Sequence, residues 1–201
     1  MALSMVFAMN SCKCTSDNSS KDETVVEPAE LVVENLVSTD REAMYLKYGG
    51  DYRWFETCIV LSDFLDADAE LTIAGVSNVF QGLIAKDESY DTEVVSFAHT
   101  PTDNGVETVH GFWVEDFPLN EEAITVTFAQ ALERVLATNS RKPHSRYVVL
   151  RKEVGPKASN PQYIFGNAKA QLYVDAVTGA VSDKNPVFDV KGFVMPLGEW
   201  P

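Results

Sequence analysis

Between residues 120 and 181 the hydrophobic period of the chain changes, and this change restricts the possible folds more than any other feature. Ile124, Phe128, Ala131, Leu132, Val135 and Leu136 recur at i, i+4, i+7 and i+8 spacing and form one apolar helical stripe. Asn120 is placed to cap the start, Glu121 and Glu122 sit at the positive end of the dipole, and Asn139 with Pro143 ends the helix. Three runs rich in β-branched and aromatic residues follow: Arg146 to Val154, Gln162 to Phe165 and Ala170 to Val177. Each predicts a strand, and Gly179 suits the turn that closes the last one. An amphipathic helix followed by short strands buries both apolar surfaces by packing helix on sheet.

The first half follows a related order. Asp40 precedes Arg41 to Tyr48, and Gly49-Gly50 stops them, which predicts a short helix capped by Asp40. Strands are predicted over Tyr52 to Phe64 and Leu71 to Ala85. A hairpin joins Val94–His99 to Val106–Glu115 across Asn104-Gly105, a dipeptide that tolerates positive φ. The expected fold class is α+β, an antiparallel curved sheet packed on one main helix. The finer version divides residues 31–201 into two helix-plus-sheet halves, 31–118 and 119–201.

The N-terminus carries an address. An apolar run from Ala2 to Met9 leads into Asn10-Ser11-Cys12, a length that suits a signal peptide and is too short to span a bilayer. Met9-Asn10-Ser11-Cys12 resembles a bacterial lipobox, which implies lipid attachment at Cys12 and residues 1–12 as signal. Residues 13–30 are polar and acidic and read as a flexible tether, because they bury too little apolar area to offset their ordering entropy. The expected location is the cell envelope, periplasmic or surface-exposed, with membrane contact through the lipid. No structural disulfide is expected, since Cys14 lies in the tether and Cys58 in an apolar run.

Glu122-Ala123 at the helix start, Gln162-Tyr163-Ile164-Phe165, and Tyr173-Val174-Asp175-Ala176-Val177-Thr178-Gly179-Ala180-Val181 together resemble a PepSY-like domain. The resemblance covers residues 119–201. It implies a helix-plus-curved-sheet unit of a secreted protein, and a role in binding or inhibiting another protein.

Chemistry is sparse. The net charge of -14 disfavours nucleic acid, whose binding depends on phosphate neutralisation. No nucleophile elbow, catalytic-cysteine signature or completed zinc pattern occurs, so no catalytic residue, metal or cofactor is expected. His99 and His144 lie beside prolines in turns and are expected to face solvent, while His110 shares a strand face with apolar residues. An alternative function, an envelope-polymer hydrolase or lyase, would use Trp113, Glu115, Asp116 and His110. A glycan- or calcium-binding module would use the acidic turn at Asp63, Asp66, Asp68 and Glu70. Between residues 139 and 157 six basic residues face Glu153 alone, a net of +5. Arg141, Lys142, Arg146, Arg151 and Lys152 are therefore the candidate partner-binding residues, through electrostatic steering. The leading expectation is an exported, lipid-anchored, non-enzymatic binding protein with an envelope protein as partner.

The address has a direct check. Cys12→Ser should abolish incorporation of an alkyne fatty acid in metabolic labelling, and equal label on the variant would refute lipidation.

Overall fold

Val33, Val37 and Met44 repeat at helical spacing and form the buried seam of the first helix, α1 (Val33–Tyr48). The computed structural model describes residues 30–86, 89–110 and 116–189 of the chain. Asp40 lies on the buried seam in the middle of α1, so the expected short helix starting at Asp40 is corrected. The apolar pattern begins a full two turns earlier, and a polar residue within it disguises its continuity. Gly49, at φ 85°, ends α1 and donates its N–H to the Tyr45 carbonyl at 3.1 Å.

The strands are β1 (Arg53–Leu61), β2 (Ile73–Lys86), β3 (Ser89–His99), β4 (Val106–His110), β5 (Asp116–Phe117), β6 (Tyr147–Glu153), β7 (Gln162–Asn167), β8 (Ala170–Asp175) and β9 (Val181–Ser182). They form one open nine-stranded sheet in the order β4-β3-β2-β1-β6-β7-β8-β9, with β5 pairing β6 beside this path. Every pairing is antiparallel. The α+β expectation and its antiparallel sheet hold. Among the described residues two α-helices accompany the sheet, and α1, with 16 residues, is longer than the second helix, α2 (Phe128–Ala137), with 10.

One cross-strand row shows how the helices are placed. Asn78, Thr57, Leu150, Tyr163 and Val174 are successive register partners on β2, β1, β6, β7 and β8 and share one face. Asp40 of α1 accepts a hydrogen bond from Asn78, and Phe128 of α2 lies against Tyr163 with ring centroids 6.1 Å apart. Both helices therefore meet the same face, and residues from both join the sheet in one apolar core.

The start of α2 differs from expectation. Thr127 and Gln130 form a reciprocal capping box: Gln130 N donates to Thr127 Oγ1 at 3.3 Å and Thr127 N to Gln130 Oε1 at 3.0 Å. Asn120 instead caps a separate single turn of 3-10 helix, Glu121–Ala123. Phe128, Ala131 and Val135 are buried, Leu132 is half-buried and Leu136 is 44% exposed. The buried stripe is thus narrower than the sequence spacing suggests. Val135→Asp should cost about 3 kcal/mol or more in denaturant unfolding, because the charge has no partner, whereas Leu136→Asp should stay within about 0.5 kcal/mol of the parent. Equal losses would refute this orientation of α2.

Candidate functional site

β3 alternates so that Val95, Phe97 and His99 turn toward the helices, which puts the imidazole opposite Asp40. Asp40 and His99 are each 2% exposed, so the expectation of a solvent-facing His99 is corrected. His99 Nε2 lies 2.9 and 3.0 Å from the two Asp40 oxygens. On the other side of the ring, Nδ1 lies 3.0 Å from the Gly105 N–H and 2.6 Å from Asn104 Oδ1, an amide oxygen that can only accept. Nε2 faces the Asp40 carboxylate and donates its proton to it. The chain of bonds continues inward: Asn78 Nδ2 donates to Asp40 Oδ2 at 2.7 Å, Thr57 Oγ1 to Asn78 Oδ1 at 2.6 Å, and Trp54 Nε1 to Thr57 Oγ1 at 3.1 Å. Burial pushes the Asp40 carboxyl above the ordinary carboxylate range, while its bonds to Asn78 and His99 pull it back.

An acid paired with an imidazole is also the orienting half of a nucleophilic triad. Here the second ring nitrogen meets Asn104 and Gly105 instead of a hydroxyl or thiol, and the pair is closed to solvent. It fastens α1 to the sheet.

Beside this network a half-open cleft of about 690 Å³ lies between α1, the starts of β1 and β2's partner residue Phe80, and the segment 118–121. Its floor is apolar: Met44, Trp54, Phe80 and Leu119 are all buried. Trp54 thus belongs to both the cleft floor and the buried network. Its rim carries Arg41, Glu42, Tyr45, Arg53 and Glu121. Arg41 and Glu121 form an ion pair that ties α1 to the 3-10 turn. Arg53 and Glu42 are exposed and have no partner among the described residues, and Tyr45 is 68% exposed. On one wall the Tyr52 ring lies flat over Gly82, where an added Cβ would stand only 2.8 Å from the ring, and its hydroxyl donates to Glu93.

The five basic residues singled out from the sequence do not converge on one patch. Arg141 is exposed. Lys142 Nζ donates to the Thr138 carbonyl at the end of α2, 2.7 Å away. Arg146 Nε donates to the Leu61 carbonyl at 2.9 Å, and Arg151 pairs with Glu153. Lys152, adjacent in the strand and so turned to the other face, lies 5.6 Å over the Phe117 ring. Cys12 of the lipobox-like segment and Trp113 and Glu115 of the hydrolase reading lie outside the described residues, as does the His110 side chain. Asp116 opens β5, in register with Glu153.

In the acidic turn, Asp66 binds the exposed His144 at 3.0 Å, and His144 stacks on Phe64 with centroids 3.9 Å apart. Among the described residues no group of three or more His, Cys, Asp or Glu side chains is placed to hold a metal ion. Burial pushes the Cys58 thiol far up, with the charge and hydrogen bond of Glu56 adding to the shift, so this cysteine is a poor nucleophile. Sequence reasoning missed the cleft because its lining comes from four separate stretches. The one local signal was Gly49-Gly50 beside Tyr52 and Trp54, which marks a place where backbone runs without cover.

Compared with known proteins, the chain matches no family model, no curated protein and no solved structure.

The role of the buried pair can be measured. Asp40→Ala and His99→Ala should each lower stability by about 3 kcal/mol, because each leaves buried donors or acceptors unpaired. The double variant should lose clearly less than the sum, since the two residues share one network. Additive losses in urea unfolding would show that the pair is not energetically coupled.

Proposed function

We propose that the protein is an exported, lipid-anchored, non-enzymatic binding protein of the bacterial envelope, and that its partner is another protein held at the cleft beside α1. The observation that carries the reading is the cleft itself, with an apolar floor, a charged rim and an exposed Tyr45 on a chain of high negative charge. Its volume falls in the range of about 300–1,000 Å³ usual for ligand sites. A buried apolar centre within a polar rim is also the anatomy of a protein-contact hot spot. The buried imidazole supports binding rather than turnover, because it is committed to positioning α1. The lipobox-like Cys12 and the PepSY-like pattern support export and a protein partner.

The basic residues Arg141, Lys142, Arg146, Arg151 and Lys152, spread over more than one face, contribute in this reading only a diffuse steering charge. Arg141 has the side chain most open to solvent, so it contributes to encounter rate more than to affinity.

The test is capture by cross-linking in envelope extracts. Gly50 borders the cleft, and a Cβ there would meet only Tyr45 Cε2, at an ordinary 3.7 Å. Gly50→Trp should therefore fill the cleft without unfolding the protein, and should reduce capture of specific partners at least tenfold. Arg141→Glu should slow association and only at low salt. Undiminished capture by a folded Gly50→Trp protein would overturn the cleft as the contact site.

A further inference from the structure

The four side chains of the cleft floor offer a ligand no hydrogen-bonding group. Trp54 Nε1 is turned inward and donates to the Glu56 carbonyl and Thr57 Oγ1, both at 3.1 Å. The Trp54 carbonyl already accepts from Leu119 N at 2.7 Å. Met44, Phe80 and the Leu119 side chain add only carbon and sulfur surface. The group that reaches the floor is therefore apolar, since a hydroxyl or charge placed there would lose its water without replacement. Behind Trp54 and Glu121 a further small cavity of about 50 Å³, lined by Val33, Val37, Ile124 and Leu150, extends the apolar character inward.

The rim imposes a second requirement. Glu42 on α1 and Arg53 at the start of β1 carry opposite charges, and neither has a partner among the described residues. A ligand of one sign would meet one attractive and one repulsive group. A ligand carrying both signs beside its apolar group complements both. The third requirement is access. The wall at Gly49-Gly50 has no side chains: a Cβ at Gly49 would meet nothing within 4 Å. Backbone can lie along this wall, which suits a segment of a polymer more than a compact small molecule.

We infer that the cleft binds an extended peptide segment that places one bulky apolar side chain on the Trp54–Phe80 floor, with a basic residue toward Glu42 and an acidic residue toward Arg53. This rests on reading the cleft as the contact site. A glycan would find polar partners on the rim alone, and the peptide, whose apolar side chain matches the floor and whose two charges match Glu42 and Arg53, is the occupant assigned here.

Calorimetric titration of the full chain with capped pentapeptides tests the assignment. Gly-Lys-Phe-Glu-Gly should bind saturably, and Gly-Lys-Ser-Glu-Gly at least tenfold more weakly. Arg53→Glu should weaken the first peptide severalfold and favour Gly-Lys-Phe-Lys-Gly instead. Gly50→Trp should abolish binding while its melting temperature stays that of the parent. Equal binding of the Phe and Ser peptides, or no saturation by any peptide up to about 1 mM, would overturn the peptide assignment. Saturable binding of chitotetraose without peptide binding would replace it with a glycan. If the peptides fail while partner capture still depends on an open cleft, the binding-protein reading stands and only the ligand class falls.

Discussion

Asp40 is a carboxylate on the buried seam of a helix, where apolar residues stand one turn before and one turn after it. An isolated buried charge would cost several kcal/mol, so the helix can dock only where donors await it. Asn78 on β2 and His99 on β3 supply them, and Thr57 and Trp54 on β1 complete the chain. The requirement is directional as well as energetic. Sliding α1 by a turn would leave the Asp40 carboxylate, Asn78 Nδ2 and His99 Nε2 without the bonds they share, so the polar network specifies a register that apolar contacts alone would leave loose.

The remaining attachments of α1 follow from that register. Glu34 accepts a hydrogen bond from Phe128 N at 2.7 Å, so the first helix caps the second. Lys47 binds both oxygens of Glu107, and Tyr48 donates to the same carboxylate, tying the end of α1 to the edge strand β4. The hydrogen bond and charge of Lys47 hold the Glu107 carboxyl below its ordinary range. Arg41 reaches Glu121 across the cleft mouth. One wall of the cleft is thus the face of a helix whose position is set by a buried network, and Trp54 belongs to both. A rigid wall of this kind lets a binding site keep its shape before its ligand arrives, which lowers the ordering cost of association.

The distribution of charge follows a similar logic. The run of basic residues from 139 to 157 is conspicuous in an acidic chain, yet its side chains divide between the two faces of β6 and the end of α2. Linear clustering is a poor guide to a patch on a strand, because neighbouring residues point to opposite faces. The two rim charges of the cleft that have no partner among the described residues, Glu42 and Arg53, lie 11 positions apart in sequence and nothing in their neighbourhoods distinguishes them.

The strands were legible because β-branched and aromatic runs bounded by turn residues encode them locally, and the Asn104-Gly105 and Asp175–Gly179 turns were legible for the same reason. The apolar stripe revealed α2, although the Thr127–Gln130 capping box, present in the sequence, sets its true start. Asp40 misled the reading of α1: an aspartate before a helical run is a good cap, and only a partner 59 residues away makes it a buried residue instead. The pairing of β1 with β6, the burial of His99 and the meeting of four separate stretches at the cleft were decided by tertiary structure. Each depends on which faces come together across the sheet, and a local pattern fixes which residues share a face but not which distant face will cover it.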